Sequence, residues 1–172
     1  MVSNLLITYD TSHSGKAKEE VKTLLDEVDE KIDFEESGIE GVFLATVRDA
    51  RTLVRSLVDI FQVSPDRFEY TFNWIPIDKW ISSDIKMMEE EMKKLNNEID
   101  PKESWKIDVV KRKYEMRTPD LIMKLTEHID KPKVDLKNPQ KIIRVEIIGE
   151  RAGISLLDAE EVLNIQKMKD GK

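Results

Sequence analysis

GVFLATVRDARTLVRSLVDIFQVSPDRFEYTFNW, residues 41–74, contains two changes of period that decide the fold. Gly41 to Val47 is rich in β-branched and aromatic residues and reads as a strand. From Ala50 the apolar positions recur at spacings of three and four, through Leu53, Val54, Leu57, Val58 and Phe61, as on one face of a helix. Ser64 and Pro65 close that helix, and Phe68, Tyr70, Phe72 and Trp74 then alternate along a strand, reading as a core face and not as a base-stacking platform. Toward the N-terminus, Leu5, Leu6, Ile7 and Tyr9 give a first strand. Ala17, Val21, Leu24, Leu25 and Val28 give a helical face capped by Ser14. Ile32 and Phe34 give a second strand, joined to Gly41 through a turn at Ser37 and Gly38. The succession over residues 1–75 is strand, helix, strand, strand, helix, strand, in which both helices cover one face of an antiparallel sheet.

After Ile75 the rhythm changes. Pro76 interrupts the strand, and Ser82, Ser83 and Asp84 open a long helix carrying Ile85, Met88, Met92, Leu95 and Ile99, which ends before Pro101. Trp105, Ile107 and Val109 alternate with Lys106 and Asp108 as a half-buried strand. Thr118 and Pro119 start another helix through Leu121, Ile122, Leu125 and Ile129, and Pro132 stops it. Lys141 to Ile148 is a strand with Ile143, Val145 and Ile147 on one side and Arg144 and Glu146 on the other. A turn at Gly149 to Gly153 leads to a short strand, Ile154 to Leu157, and Asp158 with Glu161 reads as the capping box of a last helix. The expected class is α+β: a ferredoxin-like domain at 1–75 (βαββαβ) packed on an α/β domain at 76–166, with a frayed tail at 167–172.

Composition narrows the functions open to such a chain. Its 172 residues carry a net charge of −7. The acid excess sits in the first half, where 8 Lys and Arg face 15 Asp and Glu through Ile75, against 20 of each afterwards. With no cysteine there is no disulfide, thiolate metal site or cysteine nucleophile. The two histidines, His13 and His128, are too few for a zinc site. No apolar run approaches the roughly 18 residues of a membrane span, and the first ten residues lack the form of a signal peptide. A soluble, cytoplasmic protein without cofactor or metal is expected.

The densest basic cluster is Lys111, Arg112 and Lys113, followed by Tyr114 and Arg117, where the alternating strand runs out into a loop. Cations beside an aromatic ring at the end of a rigid strand suit RNA phosphates and a stacked base. Further candidates in the same half are Lys133, Lys137, Asn138, Lys141, Arg144 and Arg151, expected to converge with the cluster on one surface. The enzyme alternative is a small acyl phosphate hydrolase, whose fold the first half resembles. The loop Asp10 to Lys16 after the first strand has no arginine to clamp phosphate, and Asp10 with His13 lacks a nucleophile. A third alternative is an RNA-independent protein interaction module using the acidic first half.

The second half resembles the THUMP domain, an RNA-binding module of tRNA-modifying proteins. The residues that carry the resemblance are Trp80 to Asp84, the strand ending in Lys111 and Arg112, the loop Asp135 to Pro139, the strand from Lys141 to Glu146, and Gly153 to Ser155. The resemblance implies recognition of the tRNA acceptor stem and 3′ end, with contacts from Lys111, Arg112, Lys137, Asn138, Lys141 and Arg144. Lys113, Arg117 and Arg151 join these on charge alone. Because the sequence stops at Lys172 without a modifying domain, the resemblance further implies a stand-alone, non-catalytic adaptor. Such adaptors work with a separate enzyme, here a tRNA cytidine acetyltransferase.

Overall fold

In the computed structural model, which describes residues 2–171, Leu5–Tyr9 (β1) runs antiparallel between Val42–Thr46 (β3) and Thr71–Pro76 (β4). Asp33–Glu35 (β2) extends the sheet beside β3, and Leu163–Asn164 (β9) extends it beside β4, giving the order β2-β3-β1-β4-β9. Ser14–Glu27 (α1) links β1 to β2 and Ala50–Val63 (α2) links β3 to β4. Each helix therefore connects two strands with one strand left between them, a split β-α-β arrangement. The apolar stripes read from the sequence do the packing: Val21, Leu24 and Leu25 of α1 and Leu53, Val54, Leu57 and Phe61 of α2 share one core with Leu5, Ile7 and Trp74.

The aromatic run divides. Phe68 and Trp74 are buried, but Phe72 is 44% exposed. The strand begins only at Thr71 because the Glu20 carboxylate, from α1, accepts the backbone N–H groups of Glu69, Tyr70 and Thr71 at 2.7 to 2.9 Å. It also accepts the Thr71 hydroxyl at 2.7 Å, and Thr71 Oγ1 in turn accepts the buried Trp74 indole N–H at 3.0 Å.

The chain forms two compact units, residues 1–77 with 160–172 and residues 78–159. From the sequence, a second domain reaching to 166 with a helix capped by Asp158 and Glu161 is expected. Instead Ala159–Glu161 is a single 3₁₀ turn, β9 pairs Leu163 with Trp74, and the helix Ile165–Asp170 (α5) follows. Glu161 is buried and accepts from Arg51 Nη1 at 2.7 Å and Arg55 Nη2 at 2.9 Å, both on α2. The frayed tail expected over 167–172 is helical through Asp170, because Asn164 caps Lys167 N–H and Met168 packs on the first unit's core. Lys172 lies outside the described residues.

The second unit begins with a strand where the sequence suggested only a helix entry: Lys79–Ser82 (β5) pairs with Arg151–Asp158 (β8). Ile85–Asn96 (α3), Trp105–Arg112 (β6), Thr118–Thr126 (α4) and Lys141–Ile148 (β7) complete it, with sheet order β5-β8-β7-β6. β8 is twice the length expected. Pairing of β6 with β7 is parallel from Trp105↔Lys141 to Arg112↔Ile148, so α4 is the crossover that a parallel pair requires. Met88, Met92 and Leu95 of α3 and Leu121 and Leu125 of α4 pack with Ile143, Val145, Ile147, Ala152 and Ile154. Among the described residues no helix is long and apolar enough to cross a membrane.

Replacing Glu20 with alanine orphans three backbone donors and the Thr71 hydroxyl. The expected cost is about 2 kcal/mol in urea unfolding, with amide exchange protection lost first at residues 69–71.

Candidate nucleic-acid interface

Parallel register fixes where the cations go. Arg112 and Ile148 lie side by side at the exits of β6 and β7, and Ile148 pairs with Arg151 at the start of β8, which pairs with Ser82 at the end of β5. The loop from Lys113 to Arg117 leaves β6 at this same end and enters α4. Lys113 takes a φ of 56°, the left-handed region that costs a residue with a Cβ about 1 kcal/mol. Gly149, also left-handed at 57°, turns β7 back into β8 and donates to Arg112 O at 2.8 Å. Lys111, Lys113, Arg117 and Arg151 are thus gathered at one end of the sheet, in line with the convergence expected of them from the sequence.

These cations are interleaved with acids. Lys113, Arg117 and Arg151 are exposed, and so are Asp84, Glu115, Asp120 and Glu150 at the same end. Lys111 is half-buried and donates from Nζ to Tyr114 O at 3.1 Å.

Arg112 and Arg144 belong to a different structure, on the sheet face turned away from α3 and α4. Glu146, 0% exposed, accepts from Arg112 Nη1 at 2.9 Å and from Arg144 Nε at 2.6 Å. Arg144 Nη1 lies 3.5 Å from Asp108 Oδ2, which Lys106 Nζ approaches at 3.1 Å. Arg144 is 9% exposed. Three cations and two carboxylates are therefore interlaced along β6 and β7 with one positive charge in excess, and Arg144, held by both carboxylates, offers little to a ligand. The sequence read Glu146 only as the solvent side of a strand. Opposite charges at i and i+2 on β7, with Asp108 beside them, are the signal that could have found this network.

Lys137, Asn138 and Lys141 do not join the exit cluster. They lie at the opposite end, where Lys141 pairs with Trp105, about 23 Å away along eight-residue strands. Parallel pairing separates them, because it puts both strand starts at one end and both exits at the other. Lys141 Nζ is 2.5 Å from Asp158 Oδ1 and 3.8 Å from Glu103 Oε2. The exposed Lys137 and Asn138 owe their turn to Asp135, whose Oδ1 accepts both of their backbone N–H groups at 3.0 Å. These bonds hold the Asp135 carboxyl below its ordinary range.

In the first unit the Asp10 and His13 pair is formed, with His13 Nδ1 2.9 Å from Asp10 Oδ2. The His13 hydrogen bond and the Ser12 N–H keep Asp10 below the usual carboxylate range. Its bond to Ser12 N–H caps the 3₁₀ turn Thr11–His13, so the carboxylate has a local structural task.

Residues 82–157 match the THUMP domain, and they fall inside the second unit. The match lies on the unit that holds the basic candidates. Among solved structures, PH1313 from Pyrococcus horikoshii Ot3 superposes with a TM-score of 0.62 at 11% identity, covering 91% of this chain and 55% of that one. TrmN from Thermus thermophilus gives 0.57 at 12% identity, covering 88% and 44%. A 4-thiouridine synthetase in complex with RNA and ATP gives 0.54 at 15% identity, covering 94% and 42%. The chain spans about half the length of these structures, and at such identities the likeness is one of fold. No curated protein sequence matches it.

Changing Glu146 to alanine leaves two arginines without their carboxylate, and the expected loss is about 3 to 5 kcal/mol in chemical denaturation, whereas Lys113→Ala and Arg117→Ala should each stay within about 0.5 kcal/mol of the parent. A depressed pKa at Asp135 contributes order above the unfolded carboxylate value and loses it as pH falls through the folded one. Amide protection at Lys137 and Asn138 should therefore fade below about pH 4, and Asp135→Ala should remove it at neutral pH.

Proposed function

We propose that the chain is a non-catalytic tRNA-binding adaptor that holds the acceptor end of a tRNA and presents it to a separate modifying enzyme. A cytidine acetyltransferase is the partner that the family resemblance implies. One observation carries the reading: the unit that matches the THUMP domain gathers Lys111, Lys113, Arg117 and Arg151 at a single end of its sheet. The fold neighbour bound to RNA supports it. Lys137 and Asn138 make a second contact from the opposite end. Arg112 and Arg144 act through the sheet they stiffen, not by touching RNA, and Lys141 stays with Asp158.

The interleaved Asp84, Glu115, Asp120 and Glu150 give the binding its character. Phosphates are admitted only where they align with the cations and are repelled elsewhere, so charge sets orientation more than strength. Affinity of the chain alone is modest, which is consistent with an adaptor that binds tRNA together with a partner. Cytoplasmic residence is part of the same proposal.

With the exposed Lys113, Arg117, Arg151 and Lys137 in contact, the slope of log affinity against log salt should be about −3 to −4, measured by fluorescence anisotropy with labelled tRNA. Intact tRNA should bind more tightly than the same tRNA lacking its 3′ end. Equal affinity for the two would overturn acceptor-end recognition.

A further inference from the structure

An aromatic ring beside lysines suggests base stacking, and Tyr114 is the aromatic side chain of the basic loop. Its surroundings rule that role out. Its hydroxyl donates to the Ser83 carbonyl oxygen at 2.7 Å, and its ring packs on the apolar cluster of the second unit. Burial, with the Asp84 carboxylate, pushes its phenol above the ordinary value. Ser83 is itself buried, donating from its N–H to Glu150 O at 2.9 Å and from Oγ to Gly149 O at 2.7 Å. Lys111 Nζ holds the Tyr114 carbonyl oxygen from the other side. The tyrosine is a bolt joining the β6 exit, the entry to α3 and the β7–β8 turn. Swinging its ring out to meet a base would break that joint.

The exposed side chains of residues 112–120 and 149–151 are Lys113, Glu115, Arg117, Pro119, Asp120, Glu150 and Arg151. They offer charges and hydrogen-bond donors and no aromatic face. Resting on the tRNA-binding reading above, we infer that this end takes the ribose–phosphate backbone of the RNA and stacks no base. Its ligand class is the phosphodiester chain.

The test uses the full chain and a synthetic RNA minihelix with a single-stranded 3′ tail, compared with the same RNA whose tail nucleotides are abasic. Affinity should agree within about threefold, whereas one stacked base would show as a loss of at least about fivefold. Tyr114→Leu, confirmed folded by circular dichroism, should bind the intact minihelix within about threefold of the parent and unfold at lower temperature. The double variant Lys113→Ala/Arg117→Ala should bind it at least about fivefold more weakly. If the abasic tail or Tyr114→Leu loses fivefold or more while the double variant also weakens, backbone-only recognition is wrong and the binding site stands. If the double variant binds as the parent does, or the minihelix does not bind at all, the site reading itself is wrong and this inference falls with it.

Discussion

The parallel pairing of β6 with β7 is the constraint on which the second unit depends. A parallel pair cannot be closed by a tight turn, so the chain must cross over, and α4 is that crossover. The same pairing places both strand exits together, where the chain has to leave β6 through the left-handed Lys113 and leave β7 through the left-handed Gly149. The loops that emerge there carry the basic residues, and Tyr114 fastens one of them to Ser83. A hairpin in place of the crossover would have sent Lys111 and Lys141 to one end and dissolved the grouping.

Behind that end, Glu146 does for the sheet what Tyr114 does for the loop. A buried carboxylate is tolerable only with its charge answered, and Arg112 answers it from β6 and Arg144 from two residues back on β7 itself. Two residues that look like ligand contacts by charge are therefore structural by geometry. The exposed cations sit elsewhere, Lys113 and Arg117 on the loop after β6 and Arg151 at the start of β8.

Much of the fold was legible because it is written in periods. The three-and-four spacing of α1 and α2 and the alternation in β6 and β7 each describe one apolar face, and the structure turns those faces to the two cores, fully buried on β7 and partly on β6. Three things were not legible. Strand partners leave no trace in a strand's own period, so the parallel register was invisible and with it the separation of Lys137 from Lys113. Counter-ions depend on the register of the neighbouring strand as well as on the residue two places along, so Arg144 looked available until Asp108 of β6 and Glu146 of β7 itself were placed beside it. Short elements carry too few residues for a period, which is why β5 was missed and why the segment after Asp158 was read as one helix instead of a turn, β9 and α5.

That last segment gives the chain an order of completion. Residues 78–159 form an unbroken stretch, whereas the first unit waits for residues 160–172 to supply its fifth strand and the carboxylate that Arg51 and Arg55 share. Domains acquire structure as the ribosome releases them. The unit that starts first during synthesis is thus the one that finishes last, and until the C-terminal residues emerge it shows an open β4 edge and two arginines without their shared glutamate. A chain that had emerged from the ribosome as far as Ala159 would hold a completed second unit tethered to an unfinished first one.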